Sequence, residues 1–100
     1  MNSRHAADQP ARRAALETVI ARSQRRIEAG DLRSARHELS AALHTNPGHA
    51  AIYNQLGVVC FRESSPAEAL TYYRAAHRLE PDNAVYSKNL ADLLYFSNQD

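Results

Sequence analysis

Tryptophan is absent from this 100-residue chain, cysteine and methionine occur once each, and there are only three glycines and four prolines. Each shortage excludes something. With Cys60 alone, no internal disulfide can close and no paired-cysteine metal site can form, so a reducing, cytoplasmic setting is the expectation. Three scattered glycines leave no glycine-rich phosphate loop. No stretch approaches the roughly 18 apolar residues of a membrane span, and Met1-Asn2-Ser3-Arg4-His5 lacks the apolar run of a secretory signal. A soluble protein that stays inside the cell is expected.

What is abundant is alanine and leucine, with few β-branched residues, a composition that favours helix throughout and predicts an all-α fold. The length allows one domain with a modest core or a short stack of helices. Formal charge is +1 but unevenly placed. Residues 1–49 carry eight arginines against five acids, and residues 50–100 carry four basic residues against six acids. Lys88 is the only lysine. A nucleic-acid-binding domain is usually more strongly basic, so nucleic acid is not the expected partner.

Helix punctuation divides the chain. Pro10, Gly30-Asp31, Asn46-Pro47-Gly48, Ser64-Ser65-Pro66 and Pro81-Asp82-Asn83 bound five segments, predicting helices over 10–29, 32–45, 49–63, 66–79 and 83–97. Asp31 and Asp82 are suited to accept hydrogen bonds from free N–H groups as N-caps, and Gly30 can adopt the left-handed conformation that ends a helix. Ser65-Pro66-Ala67-Glu68 reads as a capping box with proline at the first helical position. Residues 1–9 are expected to be a flexible leader, and 98–100 a tail.

The breaks recur. Sliding the sequence by 34 residues places Ala35 on Ala69, Leu39 on Tyr73, Ala42 on Ala76 and Pro47 on Pro81. The same offset places Gln55 on Asn89, Leu56 on Leu90, Cys60 on Leu94 and Phe61 on Tyr95. Tyr53-x-x-Leu56-Gly57-x-x-Cys60, then Ala69-x-x-x-Tyr73-x-x-Ala76, then Pro81, resembles the tetratricopeptide repeat family. Tyr53 stands where that family often has Trp, and Cys60 where it often has Tyr. The resemblance implies a short right-handed superhelix of stacked hairpins, with units at about 16–49 and 50–83 and a half unit or capping helix at 84–97, making an array over 10–97. Small residues at Gly57, Ala69 and Ala76 would let helices approach, and larger ones would fill the space between them.

The first unit departs from the pattern. Arg22, Ser23 and Arg26 stand where Leu56, Gly57 and Cys60 stand one repeat later, which predicts a solvated edge unit. In helix 83–97, Leu93, Leu94, Tyr95 and Phe96 wrap most of a turn, and one packed face cannot bury all four. That helix is either a cap or part of a longer array, and Leu93, Leu94 and Phe96 are candidates for self-association as a homo-oligomer.

No residue pattern points to catalysis. The histidines His5, His37, His44, His49 and His77 form no HExxH or i, i+4 ligand pair, and Cys60 reads as a small core hydrophobe. Ser64 and Ser65 fit turn and cap roles. Neither an enzyme activity nor a cofactor or metal is expected. Arg22, Arg25, Arg26, Arg33 and Arg36 make a strip on the first hairpin, but Glu28, Asp31 and Glu38 interleave with it and no aromatic residue is present there to stack on bases.

The family resemblance implies a concave groove, lined mainly by the first helix of each unit, that takes a peptide or protein segment. Carried onto this chain, the lining is Asn54, Gln55, Val58, Phe61 and Arg62 in the second unit, with Lys88, Asn89, Asp92 and Tyr95 in the third. Amides to pair with a peptide backbone, charges of both signs and aromatic area suit that task. Ile20 and Gln24 break the Lys/Asn pattern by which some family members clamp a terminal carboxylate. The expected function is a non-catalytic scaffold or adaptor. The alternative is a segment of a larger enzyme, such as a bacterial glycosyltransferase or methyltransferase, where the repeats position substrate or subunits.

Overall fold

The computed structural model describes residues 2–98, with side chains from Pro10 onward. The side chain of His5, the end of the expected tail and the side chains of the expected leader lie outside the described residues. Five helices follow one another: α1 (Asn2–Glu28), α2 (Leu32–Thr45), α3 (Ala50–Arg62), α4 (Pro66–Leu79) and α5 (Ala84–Ser97), with no strand among the described residues. Four of the five match the expected helices to within a residue at each end. The first begins at Asn2 and runs through Pro10. The backbone upstream of Pro10 holds no glycine, and its alanines favour helix.

Adjacent helices pack in chain order, α1 on α2, α2 on α3, α3 on α4 and α4 on α5, with α1 also touching α3. This serial packing makes an elongated body of 56 × 29 × 19 Å with a radius of gyration of 14.5 Å, above the roughly 13 Å of a compact 100-residue domain. Apolar burial is correspondingly local. Ile27, Ala35, Leu39, Ile52, Leu56 and Val59 form one cluster where α1, α2 and α3 meet. Cys60, Ala69, Tyr73 and Leu93 form a second, joining α3, α4 and α5. Ala50, Ala76 and Tyr86 form a third.

The 34-residue offset recurs in the backbone. Gly30, at φ +84°, ends α1 with Asp31 N–H donating to Arg26 C=O at 2.8 Å and Gly30 N–H to Ile27 C=O at 3.0 Å. One repeat later, Ser64 takes φ +64° and ends α3 in the same way, with Ser65 N–H on Cys60 C=O at 2.8 Å and Ser64 N–H on Phe61 C=O at 3.1 Å. Both are Schellman turns, which satisfy the last free carbonyls of a helix.

Two capping expectations need correction. The N-cap of α5 is Asn83, not Asp82: its Oδ1 accepts from Val85 N–H at 3.0 Å and Tyr86 N–H at 3.2 Å. The capping box at Ser65 does not form, because the Ser65 side chain makes no cap bond and Glu68 turns instead to Arg36, at 3.2 Å. Attraction to a guanidinium outweighs a reach back to one neutral N–H. Asp31 caps α2 as expected, accepting from Ser34 N–H at 3.3 Å.

The first unit departs from the second in the side chains at matching positions. In the second unit, Leu56, Cys60 and Tyr72 pack into the two larger apolar clusters. One repeat earlier their places are taken by Arg22, Arg26 and Glu38, which form an ion-paired triad with both guanidiniums on one carboxylate, at 2.8 and 2.7 Å. Ser23 is fully buried in the place of Gly57, its hydroxyl donating to Ile20 C=O at 2.7 Å. A small residue is kept where the helices approach, while the surrounding apolar contacts are exchanged for charge.

Candidate functional site

Three helices place the residues expected to line a groove. α3 carries Asn54, Gln55, Val58, Phe61 and Arg62, α5 carries Lys88, Asn89, Asp92 and Tyr95, and α4 lies against both. Asn89 Nδ2 donates to Asn54 Oδ1 at 2.9 Å, tying α5 to α3 across the interface. Asn54 is buried by that pairing, which leaves it a positioning part and only Asn89 with amide capacity toward solvent.

Between the two helices lies an open cleft of about 160 Å³, lined by Phe61, Tyr73, Asn89, Asp92, Leu93 and Phe96. That volume is below the roughly 300–1,000 Å³ of pockets that enclose a small molecule or cofactor. Its walls are the Phe61 and Phe96 rings, tilted at 44° with centroids 6.4 Å apart and exposed by 45% and 59%. Tyr95 packs edge-on against Phe96, with centroids 5.9 Å apart. Lys88 Nζ sits 2.6 Å from Asp92 Oδ2, one helical turn away, so the rim carries a paired charge of each sign.

The structure therefore gathers Phe61, Asn89 and Asp92 at one cleft, with Lys88 and Tyr95 beside it. It does not bring Gln55 there, since that side chain is buried, and Val58 is half-buried between the two larger clusters. Arg62 is exposed but lies outside the cleft lining. Tyr73, Leu93 and Phe96 complete the cleft without having been assigned to it from sequence. For Phe96 the signal was present: it falls 34 residues after Arg62, which the resemblance had placed in the groove. Tyr73 belongs to a second helix, a source that a groove lined by first helices does not consider.

Leu93 also corrects the surface expected for self-association. Only 2% of it is exposed, and it packs with Cys60, Ala69 and Tyr73. Its repeat equivalent is Val59, a core residue. The exposed large apolar residues of α5 are therefore Val85 in its first turn and Leu94, Tyr95 and Phe96 near its end.

Behind the cleft, Arg36 of α2 reaches across to α3 and α4. Its guanidinium is ion-paired with Glu63 and Glu68, and Nη2 donates to Cys60 Sγ at 3.3 Å. Hydrogen bonding to Glu63 is the main cause of its raised pKa. Burial pushes the Cys60 thiol up despite the nearby cation, so the group is held as a neutral thiol rather than a nucleophilic thiolate. Burial likewise raises the Tyr73 phenol at the base of the cleft.

His37 and His44 are exposed, and His77 lies 3.3 Å from Ser87 Oγ through Nδ1. Among the described residues, no group of three or more His, Cys, Asp or Glu side chains is placed to hold a metal, and no helix is long and apolar enough to cross a membrane.

No curated protein matches the chain. The tetratricopeptide repeat family model matches residues 20–84, which is 65 of the 100 residues. That span covers the two recurring Schellman turns and reaches the first residue of α5. The chain belongs to the tetratricopeptide repeat family.

Proposed function

We propose that the chain is an interaction module that grips a segment of another protein along α3 and α5, with one apolar side chain of that segment seated between Phe61 and Phe96. Domains of this family are generally non-catalytic and serve as protein-interaction scaffolds. The observation that carries the reading is the cleft itself, where two large aromatic rings remain exposed over buried Tyr73 and Leu93. Aromatic residues around a small apolar pocket are the usual anchors of protein interfaces, and nearby polar groups set orientation. Asn89 can pair with a peptide backbone, while Asp92 and Lys88 favour a segment bearing charge beside its apolar anchor.

Selection from a displayed peptide library tests this. Enriched peptides should share one large apolar residue with a charged or amide neighbour. Truncating Phe96 to alanine should weaken their binding by about tenfold or more, as loss of an anchor does. If no peptide is enriched, or if Phe61→Ala and Phe96→Ala both bind as the parent does, the cleft is not the site.

A further inference from the structure

The two hairpins differ on the side of α1 and α2 that carries Arg22, Arg26 and Glu38, and the 34-residue offset relates it to the second unit. In the second unit, the equivalent place is where Arg36 arrives from the preceding unit. It is received by Cys60, Glu63 and Glu68, so acidic residues accept a basic side chain. Subtracting 34 gives the matching residues of the first unit: Arg26 for Cys60, Ala29 for Glu63 and Ser34 for Glu68. Both acids are gone and a guanidinium has appeared. An open depression occupies this position, lined by Arg26, Arg33, Ser34, His37, Glu38 and Ala41.

The sign of the site is thus reversed. Glu38 is the one acid in the lining, against the guanidiniums of Arg26 and Arg33; just outside it, Arg22 also binds Glu38 and Asp31 accepts from Ser34 N–H, so with Arg22 and Asp31 included the place keeps a net positive charge. Among the described residues, neither Arg33 nor His37 has a side-chain hydrogen bond or ion pair, and both are exposed. The Ser34 hydroxyl adds a neutral donor. A further unit carrying its own arginine, docked as the first unit docks on the second, would meet repulsion here. A carboxylate would be drawn in.

From this reversal we infer that this side of α1 and α2 is a second binding surface, separate from the α3–α5 cleft, that takes a carboxylate-bearing segment of a partner protein. Nucleic acid fits less well. The hairpin presents no aromatic ring for base stacking, and the cations surround one depression instead of tracking a backbone. The inference does not depend on the reading of the cleft, and either can fail alone.

The test uses two fluorescently labelled peptides of equal length, one rich in glutamate and one with glutamine at the same positions, titrated with the full chain at low and physiological salt. The glutamate peptide is expected to bind about tenfold more tightly, with the difference shrinking as salt rises. The double variant Arg33→Glu, His37→Glu should lose that advantage, while Arg78→Glu, a charge reversal at an exposed position on α4, should keep it. Unchanged helicity and melting would show that the double variant still folds, since both side chains are exposed. Equal binding of the two peptides, or an advantage that survives the double variant, overturns the inference. A single-stranded oligonucleotide that binds more tightly than the glutamate peptide through Arg33 and His37 would overturn the choice of partner.

Discussion

Gly57 of α3 lies directly under the ring of Tyr73 on α4, so close that a β-carbon built on the glycine would sit 2.5 Å from Tyr73 Cε1. Glycine in a helix interior costs about 1 kcal/mol relative to alanine, so the position is kept for approach rather than for helix formation. Gly57→Ala is expected to destabilise the chain even though it improves local propensity. Overpacking costs roughly 1–3 kcal/mol, leaving a net loss of about 1 kcal/mol and a melting temperature lower by about 4–8 °C. A double-mutant cycle with Tyr73→Leu checks the cause: the two changes should couple favourably, because the smaller side chain makes room for the added methyl. Simple additivity would show that the ring is not what excludes the β-carbon.

The paired turns at Gly30 and Ser64 give a prediction of opposite sign. Both residues are left-handed, but only glycine adopts that conformation without a steric penalty. Ser64→Gly should stabilise by about 1 kcal/mol, and Gly30→Ala should destabilise by a similar amount. A Cβ on Gly30 meets nothing within 4 Å, so that loss would come from the backbone alone. Urea unfolding of both variants reads the two signs directly.

What the sequence made legible follows from how local each signal is. Helix ends at Gly30, Pro66 and Pro81 are set by residues that act on their own backbone, and the offset of 34 reports packing that repeats. The Ser65 capping box does not form because Glu68 is claimed by Arg36, 32 positions away. A run of four apolar residues in α5 cannot reveal by itself which one turns inward. The offset does so, since Leu93 corresponds to Val59. The cleft was half legible, because first helices could be aligned but Tyr73 enters from a second helix. The ion-paired triad of Arg22, Arg26 and Glu38 is not legible in the sequence, because spacing along the chain does not show that two arginines converge on one acid.

Raised pKa values set the behaviour in base. Burial lifts the Cys60 thiol and the Tyr72, Tyr73 and Tyr86 phenols above their usual ranges. Each is neutral when protonated, so the folded state keeps its proton to higher pH than the unfolded state does. Stability from this source is intact below the unfolded pKa and is lost as pH rises toward the folded one. The first decline should begin near pH 8.5, where an unfolded thiol ionises, and a steeper one near pH 10, where unfolded phenols do. Denaturant midpoints measured from pH 7 to 11 should show both steps. Cys60→Ala should remove the first and keep the second, and a parent curve that is flat up to pH 10 would show that burial does not hold the thiol neutral.

The exposed surfaces of the first unit and of α5 differ in a way that limits how copies can meet. The first unit carries the Arg22–Arg26–Glu38 triad, while α5 exposes Leu94, Tyr95 and Phe96. Head-to-tail stacking would bury ion-paired arginines against aromatic rings and desolvate charge without new partners. Pairing of α5 with the α5 of a second copy would bury apolar surface on both sides and, being two-fold, would close as a dimer instead of an open filament. Light scattering over a concentration series is expected to show a dimer forming at high micromolar concentration and no larger species. The double variant Leu94→Glu, Tyr95→Glu should stay monomeric with its helicity intact, because both side chains are exposed in the monomer. It leaves Leu93, a core residue, untouched. A parent that remains monomeric throughout would show that the surface of α5 does not pair with itself. Species growing beyond a dimer would show that the charged surface does take part in stacking.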